Sequence, residues 1–162
     1  MIVLDASVVV KWFKPQERFA AEAQWLLEQI GAFRIEAAAS EWLSLEVVRG
    51  LKRAQQELPE GAILDDDIYA AYNALESLFQ SGALLEIPVS EVKTLTKNAE
   101  IALGLYAADA LHLATAIYLG ARWLVTDDHH LLADRVRQYA TTAGVRIVTL
   151  PEARDLLAAE TR

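Results

Sequence analysis

Four acidic positions stand in surroundings that a plain surface role does not explain. Asp5 follows Ile2-Val3-Leu4, a run that reads as a strand buried on both faces, and Ser7 supplies a hydroxyl two residues later. Open α/β sheets bind ligands just past the carboxyl ends of their strands. A charge desolvated there is costly unless something pairs with it, and the nearest basic residue is Lys11. Asp109 falls in the first turn of 107–117, a stretch so apolar on all sides that it predicts a buried helix. The helix dipole favours an anion at that position. Trp123-Leu124-Val125-Thr126-Asp127-Asp128 repeats the opening design, a short strand ending in a hydroxyl and carboxylates. Glu46 borders the stripe Leu43, Val47, Leu51 on a further helix. Glu41, its local competitor, is already explained by the dipole of that helix.

Each position has an ordinary alternative: a helix cap for Asp109 and Thr126-Asp127, a solvated face for Glu46. Two strand ends of one parallel sheet, however, converge on one edge, which favours a shared site. Carboxylates crowded together raise one another's pKa, and a bound divalent cation reverses that penalty. The chain has no cysteine, so hard oxygen donors favour Mg²⁺ or Mn²⁺ over zinc. Asp65-Asp66-Asp67 lack the spacing of a calcium loop and read as a solvated helix start. His129 and His130 read as exposed loop histidines, and His112 as a histidine packed in its helix. Arg49 and Arg53 share nearly one helix face beyond Glu46, and with Lys11 they are candidate phosphate contacts.

The elements that must position these groups alternate along the chain. Helices are predicted over 17–30, from a cap at Ser40 to about 56, over 65–80, from a cap at Ser90 to Gly104, over 107–119 and 130–141, and from Pro151 onward. Strands are predicted at 2–4, 33–35, 84–89, 123–125 and 145–150. Strands separated by helices imply a parallel sheet covered on both faces, in one α/β domain spanning 1–162. The 162 residues are 54% apolar, which favours a folded globule. There is no apolar run long enough for a membrane span and nothing like a signal peptide, so the expectation is cytoplasmic. A net charge of −8 argues against a passive nucleic-acid clamp, because lysine and arginine contacts to phosphate dominate such affinity.

In order, Asp5 with Ser7, Glu46, Asp109 and Thr126-Asp127-Asp128 resemble the acidic signature of PIN-domain nucleases. The wider segments 3–13, 46–49, 108–116 and 124–128 resemble the VapC-type toxins of toxin–antitoxin modules. The resemblance implies a PIN-like three-layer α/β/α sandwich around a central parallel sheet of about five strands. It implies a divalent-metal-dependent ribonuclease that leaves a 5′-phosphate, a homodimer, and a cognate antitoxin covering the active site. It places the family's acids on Asp5, Glu46, Asp109 and Asp128, and its supporting hydroxyls on Ser7 and Thr126. Asp127 is an extra neighbour, so either it or Asp128 can face the metal. Asp5, Asp109 and Asp128 are then expected at the metal, with Glu46 alongside. Trp25, Trp42, Tyr69 and Tyr72 can supply an apolar patch for a second copy.

Two other readings compete. A non-catalytic PIN-like module would hold RNA or protein without cutting, but it would not be expected to keep all four acids. A phosphotransfer enzyme using Asp5 as nucleophile would need a second aspartate where Ser7 stands.

Overall fold

The computed structural model describes residues 1–160. In chain order the elements are β1 (Ile2–Leu4), α1 (Ala6–Val9), a 3-10 turn (Val10–Phe13), α2 (Ala20–Gly31), β2 (Ala37–Ser40), α3 (Leu43–Glu57), α4 (Asp65–Ser81), β3 (Leu84–Ile87), α5 (Val89–Leu103), α6 (Ala107–Tyr118), β4 (Trp123–Val125), α7 (Asp134–Thr142), β5 (Arg146–Val148) and α8 (Leu150–Glu160). The strands form one five-stranded parallel sheet in the order β3-β2-β1-β4-β5. The chain builds outward from β1 through β2 and β3, then crosses to the other side for β4 and β5. The topological switch therefore lies between β1 and β4.

Strand alternation divides the interior into two layers. Ile2, Leu4, Trp123 and Val125 point to one face and pack with residues of α2, α3, α4 and α8. Val3, Ala38, Leu124 and Ile147 point to the other and pack with α5, α6 and α7. Helix α6 is buried without interruption from Ala110 to Ala116, as its all-round apolar sequence requires.

Several boundaries differ from expectation. The second strand is Ala37–Ser40, not 33–35; Phe33 is exposed with φ of 55°, in the left-handed region. A run of alanines has little intrinsic strand preference, but all four of its residues are buried between β1 and β3, so packing outweighs propensity. Ser40 ends that strand instead of capping α3, and its Oγ accepts the N–H of Trp42. Ser90 lies inside α5, which starts directly after Pro88. The first N–H of α5 is donated to the Glu41 carboxylate at 2.9 Å, so Glu41 serves a neighbouring helix. Helix α7 starts at Asp134, leaving His129 and His130 in a turn. The aspartates at 65–67 do open a helix: Asp67 accepts the Leu64 N–H, and Asp65 pairs with Lys52.

Among the described residues no helix is long and apolar enough to cross a membrane. Leu124 is fully buried in the strand β4, between β1 and β5. Leu124→Ala is expected to lower the unfolding free energy by about 2–5 kcal/mol in a urea titration, with an unchanged denaturant slope.

Candidate active site

The carboxyl ends of β1 and β4 lie side by side, with Leu4 in register with Val125 and the Asp5 N–H donated to the Val125 carbonyl. Asp5 and Thr126 are therefore neighbours at the switch point. Asp5 is 4% exposed and Thr126 fully buried. One oxygen of Asp5, Oδ2, accepts three hydrogen bonds: from the Ser7 N–H at 3.2 Å, from the Ser7 hydroxyl, and from Thr126 Oγ1 at 2.8 Å. Each hydroxyl then uses a lone pair on the next loop. Ser7 Oγ accepts the Asp127 N–H and Thr126 Oγ1 the Asp128 N–H, both at 2.9 Å. The carboxylate thus fixes the course of residues 126–128 through two hydroxyl relays.

Beside this edge opens a cleft of about 890 Å³ whose lining includes Asp5, Glu46, Asp109 and Asp128. The four acids come from a strand end, the first turn of α3, the first turn of α6 and the loop after β4. Asp109 is half-buried, and its carboxyl is pushed up to about 6, mainly by burial and then by the charges of Asp128 and Asp5. His112 and His130 partly oppose that rise.

His112, expected as a packed helix residue, is fully buried but also faces the acids. Its Nε2 lies 2.6 Å from Glu46 Oε2 and 3.4 Å from Asp5 Oδ1. Burial alone would lower the imidazole pKa, but the hydrogen bond to Glu46 and the charges of Asp5, Glu46 and Asp109 raise it to about 8. The sequence cue was its place one turn beyond Asp109 on a buried helix, where a polar ring needs a partner.

Asp127 and Asp128 part company. Asp128 lines the cleft, its Oδ1 accepting the His130 N–H at 2.7 Å. Asp127 turns away, with Oδ1 accepting the Leu150 N–H and Oδ2 lying 3.5 Å from the Lys11 ammonium. Lys11 is 12% exposed, held between Asp127 and Glu17, and does not line the cleft. Arg49 and Arg53 do line it, although the Arg53 Nε also pairs with Glu57. The sequence reading gave no site role to Trp42 and Tyr106, which are 45% and 73% exposed at the cleft wall, or to His130, packed edge-on against Tyr106. Of the expected apolar patch, Trp25 packs on the core, while Tyr69 is exposed on α4.

The donor set suits a hard divalent cation. Asp5 has Oδ2 taken by three hydrogen bonds and Oδ1 near only the His112 ring among the described residues, and the charges of Asp128 and Asp5 both repel Asp109. The exposed turn adds a second grouping, in which Asp128, His129 and His130 bring ligand atoms within 4.8 Å of one another.

The PIN domain family matches residues 2–139, most of the chain. The chain belongs to the PIN domain family. The solved structures it resembles include a toxin–antitoxin complex from Klebsiella pneumoniae, with TM-score 0.59 and 18% identity over 93% of this chain and 98% of that one. Another is VapC20 from Mycobacterium tuberculosis, titled a sarcin-ricin loop cleaving toxin, with TM-score 0.59 and 17% identity over 83% and 95%. A third is PAE2754 from Pyrobaculum aerophilum, with TM-score 0.59 and 23% identity over 98% and 89%. At these identities the likeness is one of fold. No curated protein sequence matches the chain.

Two stability predictions of opposite sign follow from this PIN-domain site. Thr126→Val keeps the volume but removes a donor to Asp5 and the acceptor of the Asp128 N–H. It should destabilise the protein by about 1–3 kcal/mol in chemical denaturation. Asp109→Asn should instead stabilise the metal-free protein. Because its folded pKa lies above its unfolded value, Asp109's favourable contribution is complete below about 4 and lost as pH rises through about 6. His112's is complete below about 6.5 and lost as pH passes about 8. In chelator, the melting temperature should therefore fall from pH 5 to pH 9. At pH 8, Asp109→Asn should gain about 1 kcal/mol over wild type, allowing for solvent screening at this half-buried position.

Proposed function

We propose that this PIN domain is a divalent-metal-dependent endoribonuclease, the VapC-type toxin of a toxin–antitoxin pair. The observation that carries the proposal is the meeting of four carboxylates, from four separate segments, on one cleft at the switch point of the sheet. Burial first, and then the charges of Asp128 and Asp5, raise Asp109 to about 6, the mark of a site that gains by binding a cation. Relatives in fold titled as a sarcin-ricin loop cleaving toxin and as a toxin–antitoxin complex support the same reading.

Asp5, Asp109 and Asp128 are the residues that would hold Mg²⁺ or Mn²⁺, with Glu46 beside them. When bound, such an ion supplies an activated water for in-line attack at phosphorus and offsets the charge on the leaving oxygen. The protein's own part is positional. Ser7 and Thr126 keep Asp5 Oδ2 occupied, so the carboxylate holds one orientation and Oδ1 is the oxygen left to a cation. Arg49 and Arg53 run along α3 away from Glu46 and would take up phosphates on the flanking nucleotides. Trp42 and Tyr106 are exposed aromatic side chains on which unpaired bases can stack, at about 1–3 kcal/mol per base. With this stacking, an acidic chain can hold RNA without a broad basic surface. Lys11 is assigned no phosphate, since Asp127 and Glu17 already hold it.

The remaining parts of the reading are a cognate antitoxin covering the cleft, a homodimer and a cytoplasmic location. The antitoxin draws support from the Klebsiella complex.

Purified protein incubated with total RNA should give discrete cuts with Mn²⁺ or Mg²⁺ and none in chelator. Asp5→Asn and Asp109→Asn should remove the cuts while remaining folded. If both variants fold and cut at the wild-type rate, the assignment is wrong. A binding module without catalysis would show RNA retention, no cuts, and no rise in melting temperature with millimolar Mn²⁺. Trp42→Ala and Tyr106→Ala should raise KM about 5–100-fold with kcat kept, and should not alter the salt dependence.

A further inference from the structure

Among the described residues His112 is the one fully buried ionisable side chain; it touches two acids of the cleft, and the reaction as derived leaves it without a task. It stands in the interior of α6 between Leu111 and Leu113, where an apolar residue would fill the space with no desolvation cost. Its Nδ1 has no hydrogen-bond partner among the described residues, so all of the ring's polar contact is directed through Nε2. That nitrogen meets Glu46 Oε2 at 2.6 Å and Asp5 Oδ1 at 3.4 Å. The two acids have different origins. Glu46 rides on α3, which packs on one face of the sheet, and His112 on α6, which packs on the other. Asp5 ends the central strand between them.

We infer that His112 is a positioning residue that ties α3 to the end of β1 through Nε2–H, fixing Glu46 and Asp5 as a pair for one cation site. The inference rests on the reading that these acids bind a divalent ion. Nothing else among the described residues donates a hydrogen bond to Glu46. Without His112 its side chain is free to swing out along the exposed part of α3. Glu46 Oε2 is held by the ring, which leaves Oε1 as the oxygen open to the cleft. Asp5, already fixed through Oδ2, gains a second fixed neighbour on Oδ1. Hydrogen bonds that orient ligating side chains typically change metal affinity 10–100-fold when removed.

The test compares two amides in the full-length protein, with Mn²⁺ as the probe and calorimetry as the readout. In His112→Asn the amide sits at the level of Nδ1 and does not reach Glu46. In His112→Gln it sits at the level of Nε2 and does. Both lose the ring, so packing losses are shared and the difference between them reports the donor's position. The expected result is Mn²⁺ binding about 10–100-fold weaker in His112→Asn and largely restored in His112→Gln. Asn binding as tightly as wild type, or Asn and Gln losing equally, overturns the inference. A second readout needs neither variant. The hydrogen-bonded Nε2–H of metal-free wild type should give a slowly exchanging, downfield proton resonance that moves in Glu46→Gln. Its failure to move also overturns the inference. Mn²⁺ binding with intact RNA overturns the nuclease reading alone; no Mn²⁺ binding by wild type overturns both.

Discussion

Everything at the cleft depends on one oxygen, Asp5 Oδ2. It ends the central strand and takes hydrogen bonds from Ser7 and Thr126, whose hydroxyls in turn receive the N–H groups of Asp127 and Asp128. A carboxylate with one oxygen so engaged cannot rotate, because turning it breaks several bonds in a nearly dry pocket. The loop carrying Asp128 is thereby set by the same group that ends β1. This explains why a hydroxyl recurs at both strand ends: each needs one proton for Asp5 and one lone pair for the backbone beyond, and serine and threonine supply both. Alanine at either position would leave a backbone N–H without its acceptor and an acid less constrained.

The arrangement is costly without a cation. Four carboxylates line one cleft, and Asp109 resists ionisation until pH about 6. A single buried imidazole, raised to about 8, is the nearest opposing charge. Arg49 and Arg53 lie further along α3 and are exposed, where water screens them. The site therefore stores unfavourable charge that the rest of the fold must offset. The offset is the two-layer core: seven consecutive buried residues of α6 clamp the helix whose first turn carries Asp109. An apolar helix of this kind can hold a strained anion at its end because its packing does not depend on the anion's state.

The fold was legible because its signals are periodic and strong. Ile2–Leu4 and Trp123–Val125 are short apolar runs between turn residues, and the structure has both strands at those bounds. The acids stood out by context: Asp5 and Asp128 follow short apolar strands, Asp109 opens an apolar helix and Glu46 borders an apolar stripe. What escaped was whatever depended on a partner distant in sequence. Ala37–Ser40 becomes a strand through burial between two others, which a run of alanines does not announce. Glu41 caps α5, whose first residue is 48 positions later. His112 looked like core because it is core, and only the fold shows that Glu46, 66 positions earlier, meets its ring.

The pair Asp127-Asp128 shows how a distant partner chooses between neighbours. The two neighbours are held by different partners, Asp128 by the His130 N–H beside the cleft and Asp127 by the Leu150 N–H and Lys11, so only one of the two faces the cleft. The sequence leaves open which one. Lys11 decides it, because its ammonium lies on the Asp127 side together with the free N–H of Leu150 at the start of α8. Had Asp127 faced inward in place of Asp128, Lys11 would have kept only Glu17 for a partner. The observed choice puts Asp128 on the cleft and makes Asp127 a structural tie between the turn after α1 and α8. A basic residue eleven positions into the chain thus shapes the site without entering it, by holding Asp127 away from the cleft.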